Sequence, residues 1–260
     1  MKQQSWALIL GGSKGLGLAT AGKLAKSGYN ILIVHRDRNL HMPDIENAFK
    51  EISGFGVQLH SFNKDAIQAG SRAQLIEEIQ KLLPKGEKIK VLVHSIAKGN
   101  LKPMNSQTEE ELNNQDFQLT INAMAISLYD WTNALIKAKL FENDSRIIAF
   151  TSEGSVKAMP NYGAVGAAKA ALEAIVRNMA IEFASLGLKS NCIQAGITDT
   201  ESLRRIPGSE MLKEQALARN PNKRLTKPED IADVVSLLCS DEAKWINGTV
   251  IKVDGGESLR

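Results

Sequence analysis

The feature that most constrains this chain is the run Gly11-Gly12-Ser13-Lys14-Gly15-Leu16-Gly17, which follows the apolar stretch Trp6–Leu10 and leads into a helix-like spacing of Leu18, Ala21, Leu24 and Ala25. A short apolar run bounded by glycine reads as a buried strand, and apolar residues three and four apart share one face of a helix. Between the two, the G-x3-G-x-G pattern permits a tight turn, brings a helix amino end against an anion, and lets helix and strand pack closely. Strand, glycine turn and helix together are the mark of a dinucleotide pyrophosphate site. Gly11, Ser13, Lys14, Gly15, Leu16 and Gly17 are its candidate residues.

The same rhythm continues along the chain. Apolar runs recur at 31–34, 89–93, 147–150, 191–193 and Val250–Val253, the segment 57–62 alternates weakly, and most intervals carry helix-period apolar residues. Ser27-Gly28 is placed to end the first helix, and Thr226-Lys227-Pro228-Glu229 reads as a capping box that opens a late one at Thr226. Strands joined by crossover helices imply a doubly wound α/β fold: one Rossmann-type domain over 1–260, with a parallel sheet of about seven strands and helices on both faces. Ligands of such sheets bind beyond the carboxyl ends of the strands.

Composition narrows the function classes. With 43% hydrophobic and 23% charged residues the chain is neither disordered nor fibrous, and a formal net charge of +3 is too mild to call for nucleic acid while not repelling an anionic cofactor. Cys192 and Cys239 lie in apolar stretches, and neither they nor His35, His41, His60 and His94 have metal-ligand spacing, so no metal is expected. The apolar run near the amino terminus is too short for a signal peptide or a membrane span, which makes a cytoplasmic protein the expectation.

Cofactor choice turns on the end of the second strand, Val34-His35-Arg36-Asp37-Arg38. An NAD site carries an acidic residue roughly 20 positions beyond the glycines, on the adenosine ribose. His35 stands there, Arg36 follows, and Ser13 and Lys14 reach the same ribose, so a 2′-phosphate would meet two cations and a hydroxyl. NADPH is favoured over NADH. A register one residue different would bring Asp37 to the ribose and reverse that preference.

The chain resembles the short-chain dehydrogenase/reductase superfamily over nearly its whole length. The matching features are the glycine loop, Asp65-Ala66, Ile121-Asn122-Ala123, Thr151-Ser152, the pair Tyr162 and Lys169, and Val253-Asp254-Gly255-Gly256. The common Y-x3-K pattern would put lysine at 166, where Gly166 stands; the spacing here is Y-x6-K. That spacing, and His94-Ser95-Ile96-Ala97, are similar to the enoyl-acyl-carrier-protein reductase branch, in particular to its NADPH-dependent members that keep the common glycine loop.

The resemblance implies roles. Lys169 would hold the nicotinamide ribose and stabilise a developing anion, and the Tyr162 hydroxyl would hydrogen-bond or protonate the enolate oxygen. Asp65, Ala66, Ser95, Ile96 and Ala97, with Gly196, Thr198 and Thr200 after the sixth strand, would contact the dinucleotide. Asn122 would kink its helix and hold a water linked to the lysine. Ser152 stands where many enoyl reductases have a second tyrosine, and it either orients substrate or closes its strand.

The altered spacing also has a physical reading. Seven helical residues are nearly two turns, so Tyr162 and Lys169 would share a face about 10 Å apart, against about 6 Å for four residues. Ketone reduction needs the acid on the oxygen of the carbon that takes hydride. Enoyl-thioester reduction delivers hydride to C3 while charge gathers on the oxygen at C1, and a more distant phenol suits it.

The expected activity is therefore NADPH-dependent reduction of a trans-2-enoyl thioester, carried on acyl carrier protein, in fatty-acid biosynthesis. The alternatives are a 3-oxoacyl or other carbonyl reductase and a catalytically silent NADP(H) sensor. Residues 198–220 are expected to form a mobile lid. Arg204, Arg205, Lys213, Arg219, Lys223 and Arg224 around it either attract an acidic carrier or form a solvated face. The related reductases imply a homotetramer that pairs helices 115–137 and 162–184.

Overall fold

The computed structural model describes residues 5–260. Seven parallel strands form one sheet in the order β3-β2-β1-β4-β5-β6-β7. They are β1 Trp6–Leu10, β2 Asn30–His35, β3 Leu59–Asn63, β4 Ile89–His94, β5 Phe141–Ser152, β6 Leu188–Ala195 and β7 Val250–Val253. Every residue of β1 and β2 is buried, because helices cover both faces. One face carries α1 (Gly15–Lys26), α2 (Met42–Ser53) and α9 (Pro228–Leu238). The other carries α3 (Ala69–Leu82), α5 (Ser127–Lys137) and α6 (Gly163–Glu182). The strand order reverses between β1 and β4, so the loops after these two strands part and leave a crevice between them.

Three local expectations shift. The third strand is Leu59–Asn63 and not 57–62. β5 begins far earlier than 147, because its first half is polar: Arg146 is fully buried, its guanidinium held by Asp144 at 2.6 Å and by the Leu238 carbonyl at 3.0 Å. The late helix is capped one residue further on, where the Asp230 carboxylate accepts from the Lys227 amide at 2.8 Å, while Thr226 forms an isolated parallel bridge with Thr198. Gly28 does close α1, with φ +88°.

Asn122 opens a π turn, Asn122–Ile126, that joins α4 (Asn114–Ile121) to α5. Such turns are rare inside helices and concentrate at functional sites. Beyond β6, the short helices α7 (Glu201–Arg204) and α8 (Ser209–Arg219) are separated by Gly208 in the left-handed region at φ +77°. No helix among the described residues is long and apolar enough to cross a membrane.

Candidate active site

The carboxyl ends of the central strands open on a cavity of about 900 Å³. The glycine loop supplies Gly11, Ser13, Lys14, Gly15 and Leu16 to its wall, and the end of β2 supplies Arg36. Asp65 and Ala66 enter after β3, Ser95, Ile96 and Ala97 after β4, Lys169 from α6 and Thr200 before α7. Gly17, Gly196 and Thr198 are not part of this wall. A β-carbon on Gly17 would stand 2.2 Å from the Gly11 carbonyl oxygen, and one on Gly196 would stand 2.3 Å from Thr226 Oγ1. Thr198 Oγ1 donates to the Gly196 carbonyl at 2.9 Å. These three residues shape the loops rather than face the cavity.

The donor set fits a dinucleotide. A β-carbon on Gly11 would come within 2.6 Å of the Ser95 carbonyl oxygen, so only glycine lets the two loops close on one crevice. α1 starts without a side-chain cap, which leaves its first-turn N–H groups to an outside acceptor such as a pyrophosphate.

Charge around the expected ribose position is more balanced than the sequence implied. Lys14 pairs with Glu201 at 2.9 Å and with Asp37 at 3.5 Å, and Arg36 pairs with Asp65 at 2.7 Å. Asp37 also meets His35 Nδ1 at 3.0 Å. Burial pushes the Asp37 carboxyl up, but hydrogen bonds from Ser13 and His35 and the Lys14 charge outweigh it and hold the group below the usual range. Asp37 therefore reaches Ser13 and Lys14 with β1 and β2 paired from Trp6 and Asn30 to Leu10 and Val34. The sequence reading required a register change for that.

The end of β5 is joined to α6 at three consecutive residues. Lys169 Nζ donates to the Phe150 carbonyl at 2.7 Å, Thr151 Oγ1 donates to Glu173 Oε1 at 2.7 Å, and Ser152 Oγ lies 3.4 Å from Tyr162 Oη. Tyr162 does not sit on the helix face with Lys169. It is the N-cap of α6, with φ −107° and ψ 7°, so the expected spacing along one helix face does not apply. Its ring borders a second cavity of about 490 Å³ beside Gly154, Met104 and Met159, whereas Lys169 faces the first. Gly154 makes room for that ring, since a β-carbon there would lie 2.5 Å from Tyr162 Cε1.

Burial tunes these groups. It lowers Lys169 to about 8, despite the opposing influence of Cys192 and Glu173, and it raises the Tyr162 phenol against the hydrogen bond from Ser152. His94 is buried and pulled down to about 3, so it is neutral. Ser127 Oγ donates to the Ala123 carbonyl at 2.8 Å, and His94 Nε2 meets the Ser127 hydroxyl itself at 2.7 Å, which fastens the end of β4 to the π turn that Asn122 opens.

The segment 198–220 is tied down by its cations. Arg204 and Lys213 pair with Asp199, Arg205 with Glu201, and Arg224 with Asp230. Arg219 bridges Glu153 at 3.1 Å and Glu257 at 3.0 Å. The basic cluster is thus largely compensated from within. The Glu153, Glu173 and Glu257 contacts were missed by sequence reasoning; only Glu173, one helical turn beyond Lys169, had a readable signal.

The family model described as enoyl-(acyl carrier protein) reductase matches residues 11–258. The chain belongs to the short-chain dehydrogenase/reductase superfamily. Like other members of it, this short-chain dehydrogenase/reductase is an oxidoreductase built to hold a nicotinamide cofactor. It is 28% identical to a 1-cyclohexenylcarbonyl-CoA reductase of Streptomyces collinus over 97% of the chain and 86% of that protein. It is 24% identical to a 3-oxoacyl-[acyl-carrier-protein] reductase of Thermotoga maritima over 96% of each. The crystal structure of an NADH-dependent enoyl-[acyl-carrier-protein] reductase of Aquifex aeolicus superposes with a TM-score of 0.83 at 26% identity, covering 99% of this chain and 98% of that one.

Proposed function

We propose that this reductase uses NADPH to reduce the 2,3 double bond of trans-2-enoyl thioesters carried on acyl carrier protein, in fatty-acid biosynthesis. The observation that carries the reading is the separation of the two catalytic side chains. Lys169 reaches the Phe150 carbonyl in the dinucleotide cavity, and Tyr162 reaches Ser152 beside a second, methionine-lined cavity. An enoyl thioester needs that division, because hydride enters at C3 and the negative charge appears on the oxygen at C1.

The bound cofactor supplies the hydride. The chain's own groups hold and balance charge: the Lys169 ammonium holds the nicotinamide ribose, and the Tyr162 hydroxyl donates a hydrogen bond to the enolate oxygen. Ser152, at 3.4 Å, orients that hydroxyl. Lys14 and Arg36, both on the cavity wall, would hold the 2′-phosphate.

A second reading, 3-oxoacyl reduction, is favoured by one contact. Ser152 beside Tyr162 is a hydroxyl pair suited to a ketone oxygen. One assay separates the two: NADPH oxidation followed at equal enzyme with a trans-2-enoyl thioester and a 3-oxoacyl thioester. Turnover of the first alone supports the proposal, and turnover of the second alone replaces it. Inertness with both removes both.

A further inference from the structure

Glu173 is a buried carboxylate that the chemistry above does not use. The residue is 8% exposed and lies one turn beyond Lys169, itself 7% exposed, on the inner face of α6. Residues so spaced have their β-carbons about 5–6 Å apart. A carboxylate is left in such a place only if something holds it, since burying an unpaired charge costs several kcal/mol. The partner in hand is Thr151, whose Oγ1 donates to Glu173 Oε1 at 2.7 Å. Thr151 stands between Phe150, which receives Lys169, and Ser152, which meets Tyr162.

We propose that Glu173 is the positioning residue of this site: it pins Thr151 to α6, which fixes the direction of Ser152, and it is the buried counter-charge of Lys169. Every other titratable group around the ammonium fails that second role. Cys192 in β6 is pushed up to about 12 and stays a thiol, and His94 at the end of β4 is neutral and hydrogen-bonded to Ser127. Arg177, further along α6, is exposed and a cation. Glu173 is the one anion among the described groups that bear on Lys169.

The two functions separate by substitution. Glu173→Gln keeps an acceptor for Thr151 and removes the charge, whereas Thr151→Val keeps the charge and removes the bond. The inference rests on Lys169 holding the cofactor, so the test reads cofactor binding: Kd for NADPH by titration calorimetry from pH 6 to pH 10. In Glu173→Gln the pH at which affinity falls should drop by roughly 1 unit, because the ammonium has lost its anion. In Thr151→Val it should stay in place while kcat falls at unchanged cofactor Kd.

Lys169→Ala distinguishes the failures. If the alkaline fall vanishes in Lys169→Ala but does not move in Glu173→Gln, the assignment of Glu173 is overturned while the reading of Lys169 stands. If the fall persists in Lys169→Ala, the reading of Lys169 fails and the inference about Glu173 goes with it.

Discussion

Gly166 lies so close to the Gly154 main chain that a β-carbon on it would stand 2.8 Å from the Gly154 carbonyl oxygen. This is the position at which related enzymes with the shorter spacing carry lysine. Any side chain there would push against backbone, and the same Gly154 backs the Tyr162 ring. The longer spacing is therefore built into the loop after β5, and restoring lysine at 166 should not convert the enzyme. Gly166→Lys is expected to cost about 1–3 kcal/mol through overpacking, visible as a lower Tm, and to lose activity on every thioester. A variant as stable as the parent would show that the loop yields.

The crevice also makes a statement about cofactor choice. Arg36→Ala should raise the Michaelis constant for NADPH about tenfold or more with little change for NADH, because it removes a charge-assisted bond to the 2′-phosphate. Asp37 opposes that preference, since its carboxylate already draws on Ser13 and Lys14. Asp37→Asn should tighten NADPH roughly twofold to fivefold, the scale of one partly screened charge pair. If Arg36→Ala affects both cofactors equally, the guanidinium is not at the 2′-phosphate.

The buried ammonium sets a pH limit. Burial lowers Lys169 from 10.5 to about 8, so its charge is complete in acid and lost as pH rises through about 8. Cofactor affinity and kcat/KM should fall across that range, well before a free lysine titrates. Stability should respond in the opposite sense. Between about 8 and 10.5 the unfolded chain binds a proton that the folded one lacks, so this group's contribution to stability rises with pH. A pH profile flat to pH 10 would contradict the burial argument.

The sheet and the glycine turn between β1 and α1 were legible because each is written locally: glycines between a strand and a helix, and apolar runs at intervals. What was not legible depends on residues far apart in the chain. The polar start of β5 hid its strand, because Arg146 is neutralised by Asp144 and donates a hydrogen bond to a carbonyl from α9. Arg219 read as one of a cluster of free cations, yet its partners Glu153 and Glu257 lie 66 and 38 positions away. Tyr162 read as a helix-face residue and is the cap, because Asn161 before it stands in the left-handed region at φ +62° and Tyr162 itself has φ −107° and ψ 7°, so the helix starts only at Gly163.

We propose that the chain assembles through its outer helices. Ile126 and Tyr129 are 41% and 43% exposed beside a cleft of about 300 Å³ between α5 and α6, also lined by Ile175, Met179 and Phe183. Trp245 and Leu237, which precede β7 in the chain, are further apolar side chains left 94% and 66% exposed. Exposed apolar side chains on these segments suit a dihedral homotetramer, and sedimentation velocity at micromolar concentration should show about four chains. Tyr129→Glu should halve the assembly. A monomeric parent protein would end this proposal.

Tyr162→Phe decides what the phenol does, since it removes one hydroxyl and leaves the ring against Gly154. In a ketone reductase that hydroxyl is the proton donor to the oxygen of the carbon that takes hydride, so its loss should nearly abolish turnover. In an enoyl reductase Lys169 still balances part of the enolate charge and solvent can deliver the proton later, so the loss should be limited to roughly 10- to 1000-fold in kcat. Lys169→Ala should be the worse of the two, because it removes both a cofactor contact and a charge. The comparison is made by single-turnover oxidation of NADPH, which isolates the chemical step from product release. Full enoyl-thioester activity in Tyr162→Phe, together with normal NADPH binding in Lys169→Ala, would move the catalytic centre away from this pair.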